Sequence, residues 1–453
     1  MEKQVGVRVS TNLNRQIALL AGPLVLQNVS QTMLGVADTF FVSRIGTAAL
    51  AAVGLSSIMF IAVLVLFRGT AESTVIFVGR AHGEGDSAKI GASIWHSLNM
   101  VAWLSLAVLT LPWLFNNLMA LASPGDSSLV HELGTRYLQI RAIEIPFVMF
   151  SGVVWSFLIG RGDSRTPMIL AWLTVVLNIF LDWLLILGNL GFPALGVAGA
   201  AYATVMANSL NAILSAAILW SSSNRRIFST GRIRLSSRHE LRRVLKVGLP
   251  LGMGEFIEVA SFSAFFALIG QLGTDILAAN QIAIQYMSLS FMLGHAVNRA
   301  ASSLVAQYLG AKQPDVAEKV GYRASLMAML GMGVIGSSYL IAPTALIRIF
   351  SQEQSVIAAG VTILRLVALY QVLDAVGIVL AGALNGAGDT NFTMITRLLL
   401  AWGVFIPLVW VLIIQLDTGI RGAWSGALIY LGGLAIIYFL RFRSGRWKTI
   451  ELA

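Results

Sequence analysis

The stretch IGTAALAAVGLSSIMFIAVLVLF, residues 45–67, runs for 23 residues without a charged side chain. As an α-helix it would be about 34 Å long, which is enough to cross the roughly 30 Å hydrocarbon core of a bilayer. Apolar segments of comparable length recur along the chain. With this one, they are 16–42, 48–78, 91–114, 136–159, 168–188, 196–220, 246–270, 277–308, 320–342, 356–383, 393–415 and 422–441. The sequence therefore predicts twelve transmembrane helices.

The composition excludes an ordinary soluble protein. Hydrophobic residues make up 57% of the 453 residues and charged residues only 11%, whereas soluble domains are about 25% charged. The apolar runs are also much longer than the roughly ten-residue alternating segments of a membrane β-barrel. We therefore expect an all-α polytopic membrane protein. Because the chain has no cysteine, disulfides, thiolate metal sites and cysteine nucleophiles are excluded.

Positive charge is concentrated in the middle of the chain. The stretch 221–246 carries eight Lys and Arg residues against the single acid Glu240. Such residues beside membrane segments set topology and contact anionic lipids, so both termini and this linker are expected in the cytoplasm. Nucleic-acid binding is not expected, since no soluble domain is long enough to hold such a site.

The chain repeats itself at an offset of 227 residues. At this offset Pro23 aligns with Pro250, and the block IGTAALAA from Ile45 aligns with LGTDILAA from Leu272. Two later pairs of blocks align at nearly the same offset. They are GRGDS from Gly160 with GAGDT from Gly386, and GVAGAA from Gly196 with GIRGAW from Gly419.

The repeat predicts two lobes in one membrane orientation, because each half has an even number of crossings. Such a parallel repeat is typical of transporters that alternate access around a central cavity. The predicted division is an N-lobe at 1–220, a basic cytoplasmic linker at 221–245 and a C-lobe at 246–453. The glycines lack the lysine and hydroxyl residues of a phosphate-binding loop. We therefore expect transport driven by an ion gradient, without cofactor or enzymatic activity.

Several carboxylates lie inside the apolar segments, and the candidate functional acids among them are Asp38, Asp182, Glu258 and Asp374. A charge near the bilayer centre costs at least about 2.5 kcal/mol, so such residues face the protein interior and pair with other groups or bind ions. Asn178 lies four residues before Asp182, on the same helix face. Oxygen groups of this kind suit a hard cation or a shared proton. A structural hydrogen-bond network between helices is the alternative.

The sequence resembles the multidrug and toxic compound extrusion (MATE) family along its whole length. The resemblance rests on an ordered set of motifs. They are GVADTFFVSRIG (35–46), GRGDSRTP (160–167), VLNIFLDWLLILG (176–188), GVAGAAYAT (196–204), GLPLGMGEFIEVASF (248–262), ALYQVLDAV (368–376) and NGAGDTNFT (385–393). It implies a V-shaped fold of two six-helix lobes that exports organic cations in exchange for Na⁺ or H⁺. A prokaryotic inner membrane and a monomeric transporter are expected.

The resemblance also implies where the coupling ion binds. In the N-lobe, the family's cation site falls on Asp38, Asn178, Asp182 and Thr204. In the NorM-like branch, a second site falls on Glu258, Tyr370 and Asp374. Na⁺ or a proton could occupy either set.

Glu255 lies three residues before Glu258 on the same helix. One of the two is expected to be protonated unless a cation or an arginine lies between them. We expect Glu258 to be the functional acid and Glu255 a secondary cavity acid, with the reverse assignment or a structural pair as alternatives.

Other polar residues of the apolar segments have simpler interpretations. The pairs Arg68–Glu72 and Arg141–Glu144 are expected to neutralise each other, and His96 and His295 are expected to be packed. Three further polar residues are candidates either to line the cavity or to bond neighbouring helices. They are Asn280, Gln281 and Gln285.

The sequence supports three other functions less well than multidrug efflux. A flippase for lipid-linked saccharides or peptidoglycan precursors would be expected to place arginines in its cavity, whereas these acids favour cations. A major-facilitator transporter would carry a basic, Asp-containing loop that VGRAHGEGDSAKIG (78–91) does not match. An intramembrane enzyme has no supporting motif.

Overall fold

A computed structural model describes residues 12–108, 110–122 and 128–452. In these residues the secondary structure is helical, and no strand occurs. The helices of the first half are α1 (Leu13–Ser43), α2 (Thr47–Glu72), α3 (Thr74–Glu84), α4 (Ser87–Val108), α5 (Leu111–Ala122), α6 (Ser128–Ala142), α7 (Ile145–Gly160), α8 (Arg165–Leu185), α9 (Val197–Leu219) and α10 (Ser222–Phe228). Those of the second half are α11 (Arg238–Gly270), α12 (Thr274–Gly310), α13 (Pro314–Ile341), α14 (Pro343–Arg348), α15 (Gln354–Gly386), α16 (Thr390–Leu400), α17 (Ile406–Trp410) and α18 (Gly419–Arg443). The predicted all-α fold is confirmed.

The helices account for the predicted membrane crossings. Among the described residues, ten helical stretches are long and apolar enough to span a bilayer, and the number rises to twelve if each of two bent pairs is one span. The bent pairs are α4 with α5, at 47°, and α6 with α7, at 43°. They coincide with the predicted segments 91–114 and 136–159. Pro146 at the start of α7 lacks the backbone N–H that a continuous helix would use there.

The span Thr390–Gln415 is not a regular α-helix throughout. Two π-helical turns, Ala401–Phe405 and Val411–Gln415, flank α17. Pro407 lies in the first turn of α17. Its ring would clash with the carbonyl four residues earlier in a regular α-helix, and the wider π turn relieves that clash.

The contacts divide the chain into two compact units. Within the described residues, the first unit is 26–252 and the second is 12–25 with 253–452. The boundaries fall two residues after Pro23 in α1 and two residues after Pro250 in α11. The opening part of α1 therefore packs with the second half of the chain, and that of α11 packs with the first half.

Close contacts explain both assignments. In the first unit, a Cβ at Gly69 of α2 would lie 2.4 Å from the backbone of Gly252, so the two helices touch. In the second unit, the Tyr308 hydroxyl donates to Gln16 Oε1 at 2.7 Å. Ile17 and Leu20 are buried in the same core.

The basic linker also packs within the first unit. Phe228 of α10 belongs to the core around α4 and α7. The Asn99 side chain of α4 donates to the Arg234 carbonyl at 2.7 Å. This division differs from the predicted boundaries 1–220, 221–245 and 246–453, because hydropathy and chain order carry no information on which helix each segment touches.

Backbone conformation repeats with the sequence. Gly162 and Gly388, from the GRGDS and GAGDT blocks, both have φ of 92°. Gly196 and Gly419, from the GVAGAA and GIRGAW blocks, have φ of 58° and 60°. These left-handed values favour glycine, which has no Cβ to clash. The aligned blocks therefore form equivalent turns in both halves.

Candidate functional site: two buried acid clusters

The first cluster joins three helices of the first unit. Asp38 projects from α1, Asn178 and Asp182 from α8, and Thr204 from α9. All four side chains are buried, although Asp38 has exposed neighbours along its own helix. The structure thus brings together the four residues predicted for the N-lobe site.

Asn178 connects the two acids. With its amide nitrogen facing them, it donates to Asp38 Oδ1 at 2.9 Å and to Asp182 Oδ2 at 3.0 Å. Its amide oxygen is then 3.3 Å from the Thr204 hydroxyl, which has one hydrogen to donate either to this oxygen or to the Ala200 carbonyl at 3.0 Å. The same amide thus holds the two acids close together, and a proton shared between them would offset their like charges.

One carboxylate oxygen of this cluster has no hydrogen-bond partner. It is Asp182 Oδ1, which is buried. A buried carboxylate oxygen without a partner is costly unless a proton, water or cation satisfies it. The cluster therefore has the oxygen chemistry to hold a proton or a small hard cation.

An ion pair borders the first cluster. Arg141 Nη2 lies 2.7 Å from Glu144 Oε1, which confirms the predicted pairing. Arg141 also donates to the Tyr137 hydroxyl at 2.7 Å and lies over the Phe60 ring, 4.4 Å from its centroid. It attracts both Asp38 and Asp182. Sequence spacing identified the pair but not its position beside the acids.

The second cluster lies in the second unit. Glu258 projects from α11, and Tyr370 and Asp374 from α15. Asp374 is buried with Oδ2 unpartnered, and it lies within electrostatic range of Glu258. The Tyr370 hydroxyl is directed to Met287 Sδ, 3.6 Å away. Two of the three predicted residues thus present carboxylates to one another, while the tyrosine hydroxyl is engaged elsewhere.

Arg397 of α16 completes this second cluster and was missed from the sequence. Its Nη1 lies 3.0 Å from Glu258 Oε2. Glu255 is half-buried and also lies within electrostatic range of Arg397. Arg397 thus supplies a positive counter-charge beside both glutamates. The signal that could have found it is an arginine inside an apolar segment.

The three polar residues of α12 that were candidates for lining the cavity differ in their burial. Asn280 is fully buried, and neither atom of its amide has a partner. Gln281 and Gln285 are exposed. Only Asn280 is therefore placed among interior groups of the second unit.

The remaining predicted pairs and histidines have local partners. Arg68 Nε lies 2.6 Å from Glu72 Oε1, so this pairing is confirmed. His96 is 2.8 Å from the Ser236 hydroxyl, and so binds the linker. His295 packs edge-on against the Phe291 ring. Among the described residues, no group of three or more His, Asp or Glu side chains forms a transition-metal type of site.

The sequence model of the MatE family matches two stretches of the chain, 23–184 and 250–411. The matches have equal length and an offset of 227 residues, which confirms the internal repeat.

Similar proteins cover almost the whole chain. The probable multidrug resistance protein NorM of Thermotoga maritima is 27% identical over 441 residues, which cover 96% of this chain and 93% of that protein. The multidrug resistance protein PmpM of Pseudomonas aeruginosa is 29% identical over 456 residues, covering 97% and 93%.

Solved structures share the fold. A multidrug resistance MATE family transporter of the MOP superfamily, in an outward-facing conformation, superposes with a TM-score of 0.87 at 23% identity and covers 96% of each chain. A MOP superfamily transporter from Pyrococcus furiosus, described as having a binding pocket of reverse polarity, gives 0.85 at 23% identity with the same coverage.

Proposed function

Because the chain belongs to the MatE family, we propose that it is a secondary active antiporter that exports lipophilic organic cations in exchange for Na⁺ or H⁺. The observation that carries this proposal is the contact between Asp38, Asn178 and Asp182 inside a membrane-spanning unit. Relatives named as multidrug resistance proteins support the same substrate class.

The first cluster is the proposed coupling site. When a proton joins Asp38 to Asp182, the pair carries one negative charge, which the nearby Arg141 offsets only in part because it is already paired with Glu144. When that proton leaves toward the cytoplasm, the second charge has to be removed by a new proton or by Na⁺ before the site can close again. The unpartnered Asp182 Oδ1 is the natural first ligand for that ion.

The membrane potential drives export only when more positive charge enters than leaves. Each net charge that crosses a potential of 100 mV contributes about 2.3 kcal/mol, which corresponds to a concentration ratio on the order of fifty. A one-for-one exchange of monovalent cations is driven by the concentration gradient of the coupling ion alone. Alternating access of the two repeated units would convert the ion's entry into export of the drug.

The acids argue against the flippase alternative. An anionic diphosphate lipid would need arginines whose charge is free to bind phosphate. Arg141 is held by Glu144, and Arg397 by Glu258.

The proposed location is the inner membrane of a prokaryote, with both termini and the basic linker in the cytoplasm. A monomer is proposed as the working unit.

Transport in liposomes tests this proposal. Purified protein is reconstituted with a fluorescent organic cation, and a Na⁺ gradient or a pH gradient is imposed alone. We expect one or both gradients to drive transport, and Asp38→Asn to abolish it while normal protein is recovered. The exposed Asp275 provides the matched control, and Asp275→Asn should transport as wild type. Transport under neither gradient, or a fully active Asp38→Asn, would refute the proposal.

A further inference from the structure

The second cluster contains a positive charge of its own. Arg397, at 19% side-chain exposure, pairs with Glu258, at 36%. The guanidinium lies along α11, since a Cβ built at Gly254 would be 3.5 Å from Arg397 Nη1. Arg397 therefore occupies the surface of α11 from which both Glu255 and Glu258 project.

The attachment of Arg397 to this surface is incomplete. Its Nε is buried without a hydrogen-bond partner, and its other attachment is the hydroxyl of Tyr438, which also donates to the Thr393 carbonyl at 2.9 Å. Arg141 also has a buried Nε without a partner and is held by a carboxylate and a hydroxyl, but it lies over the Phe60 ring as well. The Glu258 pair is therefore the main attachment of Arg397 that an entering cation would have to replace.

The carboxylate beyond Glu258 remains unsatisfied. Asp374 Oδ2 is buried without a partner although Arg397 is nearby. A monovalent cation placed between Glu258 and Asp374 would satisfy this oxygen, but it would meet the like charge of Arg397. Like charges in a low-dielectric site repel strongly, so a cation that binds there competes with Arg397 for the Glu258 carboxylate.

The helix that carries Arg397 can accommodate a shift. One turn after Arg397, α16 passes into the π-helical turn Ala401–Phe405. Such turns have weaker hydrogen-bond geometry than an α-helix and often lie at functional sites.

We propose that Arg397 is a resident counter-cation of the second cluster, and that a transported cation reaches Glu258 and Asp374 only by displacing it. Arg397 is then a specificity-determining residue, because only a cation that binds the two carboxylates tightly enough can replace it. Arg397 returns to Glu258 when that cation leaves. This inference rests on the proposed function, in that it assigns organic cations or Na⁺ to this cluster.

Equilibrium binding to purified protein tests the displacement without any gradient. Arg397→Gln leaves the carboxylates with one less positive charge, so tetraphenylphosphonium should bind about tenfold more tightly than to wild type. Arg397→Lys keeps the charge and should bind as wild type. Adding Glu258→Gln to Arg397→Gln should remove the gain. A parallel titration with Na⁺ shows whether the inorganic ion uses the same cluster.

The matched control is Arg441→Gln, which breaks the pair with Asp389 outside the cluster. It should leave tetraphenylphosphonium affinity unchanged. If folded Arg397→Gln binds neither cation more tightly, Arg397 only positions Glu258 and the displacement proposal is wrong. If Arg397→Gln fails to fold, the double variant with Glu258→Gln, which removes the Arg397–Glu258 pair as a whole, must bind no more tightly than Arg397→Lys, and tighter binding would refute the proposal. Loss of gradient-driven transport by wild type would instead refute the proposed function.

Discussion

Asn178 contacts both acids of the first cluster, so its amide group forms hydrogen bonds to two carboxylates at the same time. It donates to Asp38 and Asp182, and its far side meets Thr204. A side chain without donors would leave two buried carboxylates poorly satisfied.

We therefore predict that Asn178→Leu lowers ion-coupled export at least about tenfold and the free energy of unfolding by about 1–3 kcal/mol. Transport in liposomes and thermal unfolding in detergent measure the two effects. Asn189→Leu is the control, because the partly exposed Asn189 side chain lies outside the cluster and donates to the Trp183 carbonyl. Equal behaviour of the two variants would contradict the bridging role.

The Arg141–Glu144 pair should behave as a buried pair. Removing one partner of such a pair leaves a buried charge and costs about 3–5 kcal/mol, so Arg141→Gln should destabilise strongly. The double variant Arg141→Met with Glu144→Leu should recover most of this loss. Arg68→Gln, in a half-exposed pair, should cost at most about 1 kcal/mol. Unfolding temperatures that rank the single and double Arg141 variants equally would refute this account.

Residues on one helix were predictable, and residues brought together by tertiary packing were less so. Arg141–Glu144 and Asn178–Asp182 follow from helical spacing. The meeting of Asp38 with Asp182 was expected only through family resemblance. Arg397 and Glu258 are 139 positions apart, and no periodicity relates α11 to α16. The missing information is which faces of separate helices pack together.

At the scale of elements, the close approach of α2 and α11 requires glycine. A Cβ at Gly69 would lie 2.4 Å from the Gly252 backbone, whereas a Cβ at Gly54 of the same helix meets nothing within 4 Å.

We predict that Gly69→Ala destabilises the protein by about 1–3 kcal/mol, because the clash is with backbone that cannot rotate away. Gly54→Ala should be neutral or stabilise by up to about 1 kcal/mol through helix propensity. Thermal unfolding of both variants checks the difference. A stable Gly69→Ala would mean that α11 does not lie against α2 at residue 252.

The helices themselves were predictable because apolar length alone specifies a membrane span. Their interruptions were only partly predictable. Pro23 and Pro250 are visible in the sequence, and both helices continue through them. What the proline pattern could not reveal is that the unit boundary falls just beyond each one.

At the scale of the whole molecule, the duplicated scaffold carries different chemistry in its two halves. At the repeat offset, Asp38 corresponds to Phe265, which is fully buried among aromatic rings. Glu258 corresponds to Gln31, which is exposed. The repeat therefore preserves the glycine turns but not the acids, and the two clusters are suited to unequal roles. The first has a carboxylate pair joined by an amide, and the second a carboxylate pair with its own arginine.

The central claim is that entry of an ion at the Asp38–Asp182 pair is coupled to exit of an organic cation. In an antiporter, a gradient of either substrate can drive transport of the other. The most direct measurement therefore uses a gradient of the organic cation to drive ion uptake. Vesicles without an imposed ion gradient are loaded with tetraphenylphosphonium, the membrane potential is clamped, and uptake of Na⁺ and H⁺ is recorded. The account predicts ion uptake that depends on the organic cation and disappears in the double variant Asp38→Asn with Asp182→Asn. Efflux of tetraphenylphosphonium without ion uptake, or uptake that persists in that variant, would contradict it.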